Sequence, residues 1–212
     1  MALSLKKGEG ISLRKEENDL SQITIGLGWD MADPVQKKGF FNALFAAKPA
    51  DYDLDAVAFL LDAHGKVASL GSQNDLVGGD VVFFNSQKHP SGHIWLTGDN
   101  RTGEGDGDDE QIIVKLNSLS EKYQRIVFVV SIYEGRKRGQ HFGQLKNAFI
   151  RAVDNKGKEL CRYQISAETQ YDNMCSITFA EVVREAGGWR FKAIGDAHPS
   201  DSFVDILRNY LA

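Results

Sequence analysis

Residues 54–67 read LDAVAFLLDAHGKV and contain the longest uninterrupted strand-like apolar run among the segments discussed below. Every position from Ala56 to Leu61 is apolar, so an extended chain would present apolar side chains on both of its faces. Such a run is typical of a central strand that is covered on both sides. His64 and Gly65 follow where the chain needs a turn. The stretch therefore predicts a layered β protein with this strand near its centre.

Most other apolar segments alternate with a period of two, which indicates half-buried strands. Residues 22–30, QITIGLGWD, place the apolar side chains from Ile23 to Trp29 on one face. Residues 147–166 and 176–196 each read as two strands joined by a glycine turn. Further strands are predicted at 80–85, 111–116 and 125–133. The pattern predicts an all-β dominated fold, an antiparallel β-sandwich, forming a single domain over residues 1–212.

A few short helices accompany the strands. Residues 117–124, NSLSEKYQ, have a capping-box arrangement that favours a short helix. Residues 201–212, DSFVDILRNYLA, carry one apolar stripe and a capping Ser202, and they predict a C-terminal helix that docks on the sandwich.

Residues 34–51, PVQKKGFFNALFAAKPAD, do not follow the strand pattern. Phenylalanine and leucine recur at helical spacing between two prolines, with lysines on either side. We interpret the segment as an insertion. It is either a small helix on the edge of the core or an amphipathic patch for a partner or a membrane surface.

Composition limits the possible functions. The 212 residues are 42% hydrophobic and carry a net charge of −4, with no apolar run long enough to span a bilayer and no secretory signal. We therefore expect a cytoplasmic protein, and no nucleic-acid partner, since nucleic-acid binding needs a basic face. The two cysteines form no CxxC pair, which argues against a thiolate zinc site.

Residues 97–111, TGDNRTGEGDGDDEQ, form an acidic loop with six carboxylates and four glycines. Clustered carboxylates repel one another, and a hard divalent cation relieves that repulsion. Calcium takes roughly six to eight oxygen ligands, and glycine lets the backbone bring them together. The spacing does not match an EF-hand, because Arg101 stands where a ligand is required. The residues thus favour calcium, with a solvated loop that binds no ion as the alternative.

A second group of carboxylates strengthens the calcium interpretation. Asp53 and Asp55 share the parity of Val57 and Phe59, so both point to one side at the start of the central strand. Asp30 ends the 22–30 strand. If these strand ends meet the acidic loop, one end of the sandwich, here named the acidic pole, holds more carboxylates than one ion needs. We predict two calcium ions there.

These segments resemble the TerD family of bacterial tellurium-resistance and stress proteins. The resemblance is carried by GLGWD (26–30), YDLDAVAFLLD (52–62), the acidic loop, and residues 131–154 and 181–195. It implies a calcium-binding β-sandwich with a cytoplasmic role in tellurite and stress responses. Matching the motifs implies a set of metal-site residues: Asp30, Asp53, Asp55, Asp99, Asn100, Thr102, Gly103, Glu104, Asp108, Asp109 and Glu110.

The leading hypothesis is a non-enzymatic calcium-binding module in tellurite and stress resistance. It would act as a sensor or scaffold in a membrane-associated complex with other resistance proteins, peripheral to the inner membrane. The alternative is a metal-assisted hydrolase that uses the same carboxylates. No nucleophile–base arrangement is visible in the sequence, and His89 and His93 are interpreted as exposed loop residues.

Overall fold

The computed structural model describes residues 2–31, 52–73, 75–97, 108–165 and 169–212. Within these ranges the chain forms twelve strands and two short α-helices. The strands are β1 (Leu3–Leu5), β2 (Gly10–Arg14), β3 (Ile23–Met31), β4 (Leu54–Leu61), β5 (Val81–Val82), β6 (Ile94–Leu96), β7 (Glu110–Val114), β8 (Arg125–Ile132), β9 (Leu145–Asp154), β10 (Glu159–Ile165), β11 (Ser176–Glu185) and β12 (Gly188–His198). The helices are α1 (Gly135–Arg138) and α2 (Phe203–Leu207).

The strands form two six-stranded sheets. One has the order β1-β10-β9-β3-β7-β6 and the other has the order β2-β12-β11-β8-β4-β5. Neighbouring strands are antiparallel, except that β1 runs parallel to β10. The antiparallel sandwich predicted from the sequence is confirmed. The predicted insertion at 34–51 lies outside the described residues.

The two predicted hairpins turn at glycines that adopt positive φ. Gly157 joins β9 to β10 with φ +78°, and Gly187 joins β11 to β12 with φ +80°. Residues with a Cβ rarely adopt this conformation, so glycine at these positions sets where each hairpin reverses.

Strand β4 is buried on both faces, as its sequence predicts. Its even-numbered side chains, from Leu54 to Leu60, pack in the core between the two sheets. Its odd-numbered side chains, from Val57 to Leu61, pack in a second cluster under α2. That cluster also contains Phe203, Ile206 and Leu207 from α2. The continuous apolar run in residues 56–61 thus packs against the opposite sheet on one face and against α2 on the other.

The helix predictions were partly wrong. The C-terminal helix exists, but α2 has five residues, and a 3₁₀ turn (Arg208–Tyr210) continues it. Ser202 makes no side-chain cap hydrogen bond within the described residues. Instead, the Ser202 N–H donates to Ser200 Oγ. Residues 117–124 form turns rather than a helix, and the Tyr123 side chain is buried in the core. The N–H groups of Ser118 and Tyr123 donate to carbonyls three residues back, those of Lys115 and Ser120, as in separate turns.

No helix in the described part of the chain has both the length and the apolar character needed to cross a membrane.

Candidate functional site

The predicted metal-site residues fall into three groups in the structure. Asp53, Asp55, Asp108, Asp109 and Glu110 are described in full. Asp30 lies in β3, where its Cα pairs with that of Lys146. The other five, Asp99, Asn100, Thr102, Gly103 and Glu104, lie outside the described residues.

Asp109 and Glu110, at the end of the acidic loop, contact both sheets. The Asp109 N–H donates to the Leu27 carbonyl at 2.7 Å, and Asp109 Oδ2 accepts the Trp29 N–H at 3.0 Å. Both acids are buried. Asp109 therefore joins the end of the acidic loop to β3 by two hydrogen bonds, one residue before Glu110, where the pairing of β7 with β3 begins.

Glu110 connects this region to the opposite sheet. Its Oε2 accepts the Ala56 N–H at 2.6 Å. Ala56 lies on β4 beyond the residues, Ala58 and Phe59, that pair with β5, so this N–H lies past the end of the β4–β5 ladder. A buried backbone donor needs a partner, and the carboxylate supplies it. The contact brings the Glu110 carboxylate to the backbone of β4 one residue after Asp55.

Asp53 and Asp55 lie at the start of β4 and are half-buried. By strand alternation they belong to the face of β4 that α2 covers further along, with Val57 and Phe59. Asp55 is directly opposite Ser131 on β8. The Asp53 carbonyl accepts the Tyr133 N–H at 2.8 Å, which fixes the entry into β4. Asp53, Asp55, Asp109 and Glu110 all have further interactions in the structure.

Asp108 is held by an ion pair with Arg151 on β9. Its Oδ1 lies 2.7 Å from Arg151 Nε, and its Oδ2 accepts from Gln111 Nε2 at 3.2 Å. The Asp108 side chain is 2% exposed. A Cβ at Gly26 would lie 2.1 Å from Asp108 Oδ2, so glycine is required there to admit the carboxylate. The hydrogen bond to Asp108 raises the pKa of Arg151, so this arginine stays charged. A ligand role for Asp108 remains a prediction.

A second buried polar network was missed by the sequence analysis. Asp80 Oδ1 accepts hydrogen bonds from the Tyr123 hydroxyl (2.5 Å) and from His89 Nε2 (3.1 Å). The Ser91 N–H donates to His89 Nδ1, so the proton of the neutral ring is on Nε2. All three side chains, those of Asp80, His89 and Tyr123, are buried. The interpretation of His89 as an exposed loop residue was wrong.

The Asp80 network joins the two sheets along one side of the sandwich. Asp80 immediately precedes β5, His89 lies before β6 and Tyr123 lies before β8. Burial raises the pKa of Asp80, but the hydrogen bonds from His89 and Tyr123 and the Lys122 charge outweigh it, so the pKa is lowered overall. The carboxylate is therefore ionised at neutral pH. No local sequence signal marks this network, because its members come from three separate loops.

The cysteines are structural. Cys161 and Cys175 are both buried. Burial raises the pKa of the Cys161 thiol to about 12, so this thiol is protonated at neutral pH and is a poor nucleophile. Cys161 thus packs as a small buried side chain in the core between the sheets.

The described residues alone contain no group of three or more His, Cys, Asp or Glu side chains placed to hold a metal ion. The acids at the acidic pole offer oxygen donors, which are the ligands that calcium prefers. Five of the predicted metal-site residues belong to the part of the acidic loop that is not described.

The chain is similar in sequence to known proteins of one family. A family model of the TerD domain matches residues 1–210. The chain is 55% identical over 215 residues to tellurium resistance protein TerX of Serratia marcescens, covering 100% of each chain. It is 36% identical over 213 residues to stress response protein SCP2 of Bacillus subtilis, again covering 100% of each chain.

A solved structure shows the same architecture. The crystal structure of a Streptomyces coelicolor homologue of the telluride resistance protein TerD matches with a TM-score of 0.58. The sequences are 22% identical, and the match covers 87% of this chain and 94% of the homologue. The fold and its acid-rich end thus define a two-sheet β-sandwich protein. The chain belongs to the TerD family of tellurium-resistance and stress-response proteins.

Proposed function

We propose that this protein is a non-enzymatic, calcium-binding module of the tellurite and stress response. One contact carries the proposal: the 2.6 Å hydrogen bond from the Ala56 N–H to Glu110 Oε2. It brings the end of the acidic loop to the backbone of β4 one residue after Asp55, and this nearness of two acidic segments that are distant in the chain supports a shared site. The family relatives named for tellurium resistance and stress response support the biological role.

The acidic pole would hold two calcium ions. Asp53, Asp55, Asp109 and Glu110 would hold them together with Asp30 and with the predicted oxygens from residues 99–104. A bound ion would supply positive charge that neutralises these acids and orders the loop. Asp108, also a predicted ligand, would anchor the loop through its bonds to Arg151 and Gln111.

Ion binding would be coupled to the packing of the two sheets. Asp109 accepts a hydrogen bond from β3, and Glu110 accepts one from β4 in the opposite sheet. An ion that attracts these carboxylates therefore acts on the junction between the sheets. In the proposed role, bound calcium orders the residues of the acidic pole. Partner proteins then recognise the ordered surface. The partners would be other resistance proteins at the cytoplasmic surface of the inner membrane.

Calcium titration of the purified protein tests this proposal. We expect isothermal titration to show uptake of two ions, and saturating calcium to raise the Tm, because a ligand that binds the folded state stabilises it. The double variant Asp53→Asn/Asp55→Asn should lose at least about tenfold in affinity, since ligand charge count tunes calcium binding. Magnesium should bind more weakly, because it is dehydrated reluctantly.

The matched control is Glu16→Gln/Glu17→Gln. It removes the same formal charge from exposed acids in the loop before β3, at the other end of that strand from Asp30. This variant should bind calcium like the wild type. No heat and no change in Tm at millimolar calcium would overturn the proposal. Phosphoester hydrolysis that is lost in Asp55→Asn would support the hydrolase alternative instead.

A further inference from the structure

Ser131 is a buried serine at the acidic pole whose hydroxyl makes no hydrogen bond with any described residue. It lies on β8, directly opposite Asp55 on β4 and Ser176 on β11. Its exposure is 2%, and its Oγ has no hydrogen-bond partner among the described residues. Ser176, in the same row, donates its hydroxyl proton to the Ser200 carbonyl at 2.7 Å. Of these two serines, only Ser131 carries an unsatisfied hydroxyl.

The sequence of β8 makes this serine unusual. Val127, Val129 and Ser131 share one face, and the two valines pack in the apolar cluster under α2. The face changes from apolar to polar at Ser131, in the same row where β4 changes from Val57 to Asp55. A buried hydroxyl that makes no hydrogen bond is unfavourable, so an apolar residue would stabilise the protein better unless the hydroxyl serves a ligand.

The pairing places the hydroxyl beside the carboxylate. Side chains of directly opposite residues in an antiparallel pair have Cβ atoms about 4.5–5.5 Å apart and lie on the same face. Asp53 lies two residues before Asp55 and shares that face. An ion bound between the two carboxylates therefore lies within reach of the Ser131 oxygen.

We propose that the Ser131 hydroxyl supplies a neutral oxygen to the calcium ion held by Asp53 and Asp55. This inference rests on the proposed calcium-binding function and adds a residue that the acidic motifs do not contain. A hydroxyl has two lone pairs and one proton. It can give a lone pair to the ion while its proton is donated to a carboxylate oxygen. Calcium accepts neutral oxygens alongside carboxylates, so the donor type fits.

Substitution of Ser131 separates a ligand role from a structural one. Ser131→Ala and the nearly isosteric Ser131→Cys should each weaken calcium binding by on the order of tenfold at one of the two ions, since sulfur is a soft ligand that calcium does not favour. Ser131→Thr keeps the hydroxyl and suits a strand, so it should retain the affinity. In calcium-free buffer, Ser131→Ala should have an unchanged or higher Tm, because an unsatisfied hydroxyl is removed.

Ser176→Ala is the control in the same row. It removes the hydrogen bond to the Ser200 carbonyl, so it should lower the Tm of the calcium-free protein and leave the calcium affinity unchanged. If the wild type binds no calcium, the proposed function and this inference both fail. If the wild type binds calcium and Ser131→Ala or Ser131→Cys binds it equally well, this inference alone is overturned.

Discussion

Replacing Arg151 with methionine is expected to destabilise the protein by about 3–5 kcal/mol, the cost of removing one partner from a buried ion pair. Asp108 would keep its charge at 2% exposure without the guanidinium that lies 2.7 Å away. Methionine preserves most of the side-chain length, so the loss reports on the charge and not on packing. Chemical denaturation followed by circular dichroism measures the change in the free energy of unfolding.

Arg162→Met is the control for this prediction. Arg151 and Arg162 both pair with Glu159, at 2.8 Å and 2.9 Å. Glu159 is 23% exposed and Arg162 is 34% exposed, so water screens the Arg162 pair, and its loss should cost about 1 kcal/mol or less. A second test combines Arg151→Met with Asp108→Asn, which removes the uncompensated charge and should recover part of the lost stability. If Arg151→Met and Arg162→Met lower the free energy of unfolding equally, the ion pair with the buried Asp108 carboxylate contributes no more to stability than the partly exposed Arg162 pair, and the prediction fails.

Asp80→Asn is expected to cost about 2–3 kcal/mol at neutral pH, since hydrogen bonds to a charged group contribute more than neutral ones. The variant keeps one oxygen for Tyr123 and His89, but it loses the charge and places a new N–H donor in a buried position. The measurement is again the free energy of unfolding, compared with that of Asp196→Asn. Asp196 pairs with Lys7 at 61% exposure, so its loss should be about 1 kcal/mol or less.

The effect of Asp80 should depend on pH with a defined sign. The pKa of Asp80 in the folded protein is lowered from its ordinary value of 3.8. A carboxyl with a lowered pKa contributes its full stabilisation above the unfolded-state value, and that stabilisation is lost as the pH falls through the folded-state value. The difference between wild type and Asp80→Asn should therefore be constant from pH 7 to about 5 and should shrink below about pH 4. A difference that stays constant to pH 3 would contradict this assignment.

The pattern of apolar residues predicted most of the strands correctly. Alternation predicted the half-buried strands, and the unbroken apolar run at residues 56–61 predicted the central strand, because such a run suits a strand covered on both faces. The glycines at 157 and 187 gave two hairpins, because positive φ is a local requirement that the sequence itself records. Residues 117–124 were predicted as a helix because the capping pattern is local, whereas Tyr123 is buried against Asp80 and His89, which are distant in the chain.

The fold class, the family and the set of acids from which an ion site would be built could all be predicted from the sequence. The partner of each polar group could not, because it depends on contacts between distant segments. Asp108 pairs with an arginine 43 residues away, His89 is buried against Asp80, and Ser131 is placed opposite Asp55. Strand alternation fixes only the face on which a side chain lies. Its neighbours on that face are set by the register between strands that are distant in the chain.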